Sequence, residues 1–327
     1  MKVEAIRVSR HGGPEVLEVV EVDVGDPGAG QVRIRNRAIG VNYLDIYNRT
    51  GLYATPLPHG LGNEGAGVIE AVGPGVEGLK EGDRVAYGHG PIGAYASARV
   101  VPAAMLVKLP DSVDFETAAA IMLKGLTVQY LFRQVYRLQG NETILFHAAA
   151  GGVGLIACQW ARALGTRLIG TVSSPQKARL AQENGAWATI DYSKENFVGR
   201  VLELTNGAKV PVVFDGVGKD TWEGSLDCLQ TMGLMVSFGN ASGPVTGVNL
   251  GILAQKGSLF VTRPTLATFV APRSRLLASC EELFDHVARG RIKVRIERRY
   301  PLAEAARAHQ DLEGRATTGS LVLVPRA

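Results

Sequence analysis

Residues 32–41, VRIRNRAIGV, alternate apolar and polar side chains, the period of a strand with one buried face. Residues 65–72 (GAGVIEAV) and 83–87 (DRVAY) are further short strands between glycine-rich turns, and residues 23–30 (DVGDPGAG) form a turn. Short strands punctuated in this way predict a barrel-like β domain over residues 1–123.

The pattern then changes. Residues 142–146 (ETILF) are a short apolar run suited to a buried parallel strand. Helical and strand segments alternate after it. Helices are predicted at 153–164, 176–184, 196–204 and 221–229, and strands at Arg167–Val172, 189–191, Val210–Asp215 and 233–238. Such alternation means βαβ units and a doubly wound parallel sheet, so the fold class is α/β. This second domain is placed at residues 124–263. The remainder, 264–327, carries a long helix at 273–289, a segment at 292–296, a helix at 302–312 and a last strand, Ser320–Val324. It is expected to return in part to the first domain.

Composition narrows the classes. With 46% hydrophobic and 20% charged residues the chain is an ordinary globular protein. Glycine is over-represented, 40 of 327 residues, as tight turns and nucleotide loops require. A net charge of +4 suits anionic small molecules and is weak ground for nucleic acid. The three cysteines, Cys158, Cys228 and Cys280, are odd in number and far apart, which argues against a disulfide framework or a thiolate-built zinc site. A reducing, cytoplasmic location is expected, with no signal peptide and no apolar run long enough for a membrane span.

One turn carries chemistry. Residues 146–154 read FHAAAGGVG between a predicted strand and a predicted helix, the context of a dinucleotide-binding turn. Gly151 allows close approach of a pyrophosphate. Gly154 allows helix–strand packing, and the N–H groups of the helix start, from Gly152 and Val153 onward, attract the anion. Ala149 departs from the G-x-G-x-x-G pattern. An NAD site usually has a carboxylate about 20 residues further on. Here residues 171–177 read TVSSPQK, with no acid; Ser173 and Lys177 suit a 2′-phosphate, so NADPH is the expected cofactor.

The segments HAAAGGVGLIACQWA, GVNYLDIY, SLDCLQ-x-x-GLMVSFGN and QKGSLFVTRP resemble the quinone oxidoreductases, the zeta-crystallin-like, zinc-free branch of the medium-chain dehydrogenase/reductase superfamily. The resemblance runs from His11 to the C-terminal strand. It implies a GroES-like first domain, a Rossmann second domain, NADPH and a homodimer. It also implies that Asn42 and Asp45 lie near the nicotinamide and that Tyr130, Gly152 and Val153 meet the cofactor. Ser173 and Lys177 hold the 2′-phosphate, and Tyr192 stacks on the adenine. Phe238, Gly239, Asn240, Ala241, Thr265 and Arg315 close the site. Zinc enzymes of the superfamily carry ligands where this chain has Asn42, Asn63 and Lys124, so no metal is expected: amides bind zinc poorly and an ammonium repels it.

The implied activity is zinc-free hydride transfer from NADPH to quinones and related electron-poor carbonyl compounds. Asn42, Tyr47 and Tyr53 are the candidate donors to the developing oxyanion. Two alternatives are reduction of an activated C=C bond in an enone and an NADPH-binding protein with a nucleic-acid or structural role. The second would use the basic run at 289–299. A solvated face is the ordinary reading of such a run, and nucleic acid is not an expected partner. His147, after a buried strand, is expected to be a core histidine rather than a base.

Overall fold

The computed structural model describes residues 1–314 and 317–326. Two compact units emerge. One contains Met1–Leu126 and Val270–Ala327, the other Thr127–Phe269. The divides fall at 126/127 and 269/270, a few residues from the 123/124 and 263/264 read from the sequence. The first lies within the helix Phe115–Tyr130, which the sequence reading does not contain. Most of its residues from Ala118 to Tyr130 are buried. A helix apolar nearly all round shows no amphipathic period.

The first unit is built on a seven-stranded sheet and a three-stranded sheet. Its central strand, Gln31–Val41, pairs antiparallel with Gly65–Val72 and Ala98–Pro102. It also pairs with the C-terminal strand Ser320–Val324, through Leu321↔Val41, Val322↔Gly40 and Leu323↔Ile39. The buried side of the 31–41 alternation (Val32, Ile34, Ile39, Val41) joins a core with Ile6, Val8, Leu61, Tyr95, Leu302, Leu321 and Leu323. In the tail, the strand following the helix Arg273–Ala288 is Ile296–Pro301, beyond the segment at 292–296. It pairs in parallel with Ser320–Val324.

The second unit holds six parallel strands. Their spatial order is Ala188–Asp191, Arg167–Val172, Thr143–Phe146, Val210–Asp215, Leu229–Ser237 and Phe260–Thr262. By chain order this is 3-2-1-4-5-6, the dinucleotide-binding arrangement, whose ligand crevice lies beyond the carboxyl ends of the strands. The helix predicted at 221–229 is only Trp222–Asp227, and the next strand begins at once, at Leu229 rather than 233. Phe132, Phe146 and Phe214 pack ring to ring with centroids 5.1–6.2 Å apart. All three cysteines are free and buried, and burial pushes each thiol up to about 12. Among the described residues no helix is long and apolar enough to cross a membrane.

Candidate active site

In the second unit, the chain leaves Thr143–Phe146 through His147 and turns at Ala148, whose φ of 57° is left-handed. Gly151 stands at the N-cap of the helix Gly152–Ala163, and no side chain caps it. The first N–H groups of that helix therefore retain their pull on an anion. Ala149, where the fingerprint has glycine, is fully buried. A Cβ on Gly170 of the adjacent strand would lie 2.5 Å from the Ala149 methyl. The bulk that the turn gains is accommodated by a glycine opposite it.

At the carboxyl end of Arg167–Val172, the Lys177 ammonium donates to Ser173 Oγ at 3.2 Å. Ser174 caps the helix Pro175–Glu183 by accepting the Lys177 N–H at 3.3 Å. Ser173 and Lys177 are thus brought together, both half-buried, with no carboxylate from 171 to 177. Tyr192 follows the next strand and is 42% exposed. The Phe238 and Gly239 N–H groups donate to the Asp215 carbonyl, at 2.8 and 3.4 Å, and the Ala241 N–H to that of Gly216 at 3.2 Å. Asn240 sits within this segment and is half-buried. The Phe238 ring lies 5.7 Å from that of Phe146. Tyr130 is buried and stacked on Phe269, centroids 4.9 Å apart. Thr265 is exposed, its hydroxyl 3.0 Å from that of Thr268. Arg315 lies outside the described residues.

In the first unit, Asn42 stands at the N-cap of the helix Tyr43–Thr50, and its N–H donates to Asp45 Oδ2 at 2.8 Å. Asp45 also accepts from Asn63 Nδ2 at 2.9 Å and from the Tyr95 hydroxyl at 3.0 Å. Burial pushes its carboxyl up to about 6 against those hydrogen bonds and the charge of Lys124. Asp45 is fully enclosed, and both its oxygens are engaged by groups of its own unit. The Asn42 amide donates to Glu64 Oε2 at 2.9 Å, where the Lys124 ammonium also donates at 3.2 Å; the Leu123 N–H takes Oε1 at 2.7 Å. Tyr47 and Tyr53 come together, ring centroids 5.2 Å apart, with the Tyr53 N–H on the Tyr47 carbonyl.

Family models match both parts of the chain: an alcohol dehydrogenase GroES-like domain over residues 28–111 and a zinc-binding dehydrogenase over residues 152–275. A quinone oxidoreductase of Pseudomonas aeruginosa is 64% identical over 321 residues, spanning 98% of this chain and 99% of that protein. The chain belongs to the quinone oxidoreductase family. The crystal structure of Escherichia coli quinone oxidoreductase complexed with NADPH superposes with a TM-score of 0.98 at 54% identity, covering 98% of this chain and all of that one. A 2-haloacrylate reductase of a Burkholderia species is 44% identical over 336 residues, 99% of this chain and 100% of that protein.

The zinc-binding name does not carry over to the side chains at Asn42, Asn63, Glu64 and Lys124. Both Glu64 oxygens face N–H donors, and the cation beside the carboxylate is a buried ammonium. A divalent ion would have to displace that ammonium and bind amide groups in exchange. These residues do not fit the metal.

Sequence reasoning missed a second shell of polar groups. Arg49, itself buried, pairs through two nitrogens with Glu313 and donates to His309 Nδ1 at 3.1 Å. Because arginine has no acceptor, the His309 proton is on Nε2, which donates to the Tyr95 oxygen at 3.0 Å; the Tyr95 hydroxyl then donates to Asp45. Hydrogen bonds spanning 214 and 260 residues leave no local motif.

Burial and the Arg49 charge pull His309 down to about 3. Its neutral form is favoured in the fold, while the unfolded chain takes up a proton below its ordinary 6.5. The stability that His309 contributes is therefore full above pH 6.5 and falls by about 1.4 kcal/mol per unit as the pH drops toward 3. Urea unfolding of the parent and His309→Gln should show the parent's advantage shrinking at that rate between pH 6.5 and 5. A difference independent of pH would contradict the neutral, Arg49-bound histidine.

Proposed function

We propose that this chain reduces quinones with NADPH by hydride transfer that needs no metal. The observation that carries the reading is the end of the strand Arg167–Val172, where Ser173 and Lys177 meet and residues 171–177 hold no acid. The helix start at Gly151, Gly152, Val153 and Gly154 would take the pyrophosphate. Ser173 and Lys177 would take the 2′-phosphate, and Tyr192 would offer a face to the adenine. Tyr130, Phe238–Ala241 and Thr265 would complete the cofactor's surroundings. Bound there, NADPH supplies a hydride from its nicotinamide ring.

Asn42, Tyr47 and Tyr53 are the proposed donors toward the acceptor. Asn42 is held from two sides, its backbone by Asp45 and its amide by Glu64. Such donors stabilise an oxyanion only modestly compared with a Lewis acid. Each 1.36 kcal/mol of missing stabilisation costs about tenfold in rate. The site accordingly suits acceptors whose reduced oxyanion is already delocalised, quinones above simple ketones. Similarity to a 2-haloacrylate reductase favours a second reading, reduction of an activated C=C bond on the same scaffold. The basic run offers little to nucleic acid: Arg289, Arg295, Arg298 and Arg299 are paired with Asp285, Glu297, Asp311 and Glu116.

A second copy of the chain is the proposed partner. Phe260–Thr262 is the last strand of the parallel sheet, and Phe260 and Val261 are 60% and 40% exposed. An apolar strand edge of this kind invites pairing.

NADPH should bind more tightly than NADH and support rapid reduction of a naphthoquinone, with 2-chloroacrylate slower and acetone negligible. Lys177→Ala should weaken NADPH by about tenfold or more, the worth of one charge-assisted hydrogen bond, and leave NADH nearly unchanged. Equal use of both cofactors by the parent would contradict the assignment, and faster turnover of the acrylate would favour the second reading. Sedimentation at micromolar concentration should give twice the chain mass, reduced to one by Phe260→Glu; a parent at single-chain mass would remove the dimer.

A further inference from the structure

Asp215 ends the strand Val210–Asp215 and is fully buried. Oδ1 accepts from the Val217 and Gly218 N–H groups at 2.7 and 3.0 Å; Oδ2 accepts from the hydroxyls of Thr221 and Ser225 at 2.7 and 3.1 Å. Ser225, likewise buried, lies 2.9 Å from His147 Nε2, and His147 Nδ1 lies 2.9 Å from Thr171 Oγ1. Thr171 Oγ1 accepts the Ala148 N–H at 3.3 Å.

The donor directions follow from the carboxylate. The Ser225 proton goes to Asp215, so the Ser225 oxygen must accept from His147 Nε2–H. Burial holds His147 below its ordinary pKa, so Nδ1 is bare and accepts the Thr171 hydroxyl proton. Thr171 then has its lone pairs free for the Ala148 N–H. The run Ala148 → Thr171 → His147 → Ser225 → Asp215 ends at the left-handed residue where the dinucleotide turn begins. The Ala148 carbonyl in turn accepts the Gly151 N–H at 3.0 Å.

We infer that Asp215, Ser225, His147 and Thr171 are positioning residues that hold Ala148 in its left-handed conformation and so aim the N–H groups at Gly152–Gly154 toward the cofactor pyrophosphate. The inference rests on the proposed NADPH reading. None of the four needs to touch the cofactor. Residue 148 is an alanine, whose Cβ disfavours this conformation, so the turn requires something to hold it. The same carboxylate also fixes the loop at 216–218, whose Gly216 and Val217 carbonyls accept from Ala241 and Ser242 at 3.2 and 2.8 Å. One buried charge thus organises two loops at the carboxyl end of the sheet.

Thr171→Val keeps the shape and removes the hydroxyl, while Thr171→Ser restores it. NADPH dissociation constants are read from nicotinamide fluorescence, with no acceptor present, at a temperature where circular dichroism shows each variant folded. Thr171→Val should weaken NADPH about tenfold, and Thr171→Ser should return to within about twofold of the parent. In turnover the KM for NADPH should rise with kcat at saturation nearly unchanged, because the acceptor's surroundings are untouched. His147→Gln, which cannot reproduce both imidazole contacts, should behave as Thr171→Val does. A lowered unfolding midpoint with unchanged NADPH affinity in Thr171→Val would assign these groups to stability alone and overturn the inference. A serine variant as weak as the valine would do the same. Failure of the parent to bind NADPH would instead overturn the reading beneath it.

Discussion

The Glu64 carboxylate and the Lys124 ammonium lie 3.2 Å apart, both buried. Removing either partner of such a pair costs about 3–5 kcal/mol, because the other is left buried and uncompensated. The surroundings are arranged around that constraint. Asn42 and the Leu123 N–H supply the remaining hydrogen bonds to Glu64. The central strand gives way to it as well: a Cβ on Gly40 would lie 2.3 Å from Glu64 Oε2 and 2.2 Å from the Ala119 carbonyl. Asn42, one of the proposed donors, is held through its amide by this carboxylate and through its backbone N–H by Asp45.

The same economy recurs in the second unit, where Asp215 takes four hydrogen bonds at the end of a central strand. Buried carboxylates of this kind are tolerated when hydrogen bonds replace the lost water. Glu64, Asp45 and Asp215 each accept from at least one backbone N–H, that of Leu123, of Asn42, and of Val217 and Gly218 respectively. Saturating the charge therefore also fixes the backbone from which functional groups project. This is how a chain without a fitting metal set can still present ordered donors.

The alternating strand and helix pattern from 142 to 238 was legible because each parallel strand is a short apolar run closed by a glycine, serine or aspartate turn. The dinucleotide turn and the pair Ser173 and Lys177 were legible because they are local in the chain. The helix Phe115–Tyr130 was not, since burial on all sides erases its period. Nor was the shell behind Asp45. Tyr95, His309 and Arg49 are joined by hydrogen bonds that span 214 and 260 residues. Only the return of the C-terminal segment to the first unit gives them a common role. The burial of Asp45, and its hydrogen bonds to the Asn42 N–H, Asn63 and Tyr95, were likewise not legible, because its partners come from separate parts of the chain.

In the proposed function the Asn42 amide and the Tyr47 and Tyr53 hydroxyls, with no metal, support reduction of an electron-poor acceptor. Elemental analysis of purified protein, combined with NADPH-dependent naphthoquinone reduction before and after dialysis against a strong chelator, tests it most directly. The account predicts zinc far below one ion per chain and an unchanged rate after chelation. One tightly held zinc per chain, whose removal abolishes reduction and whose return restores it, would contradict the account.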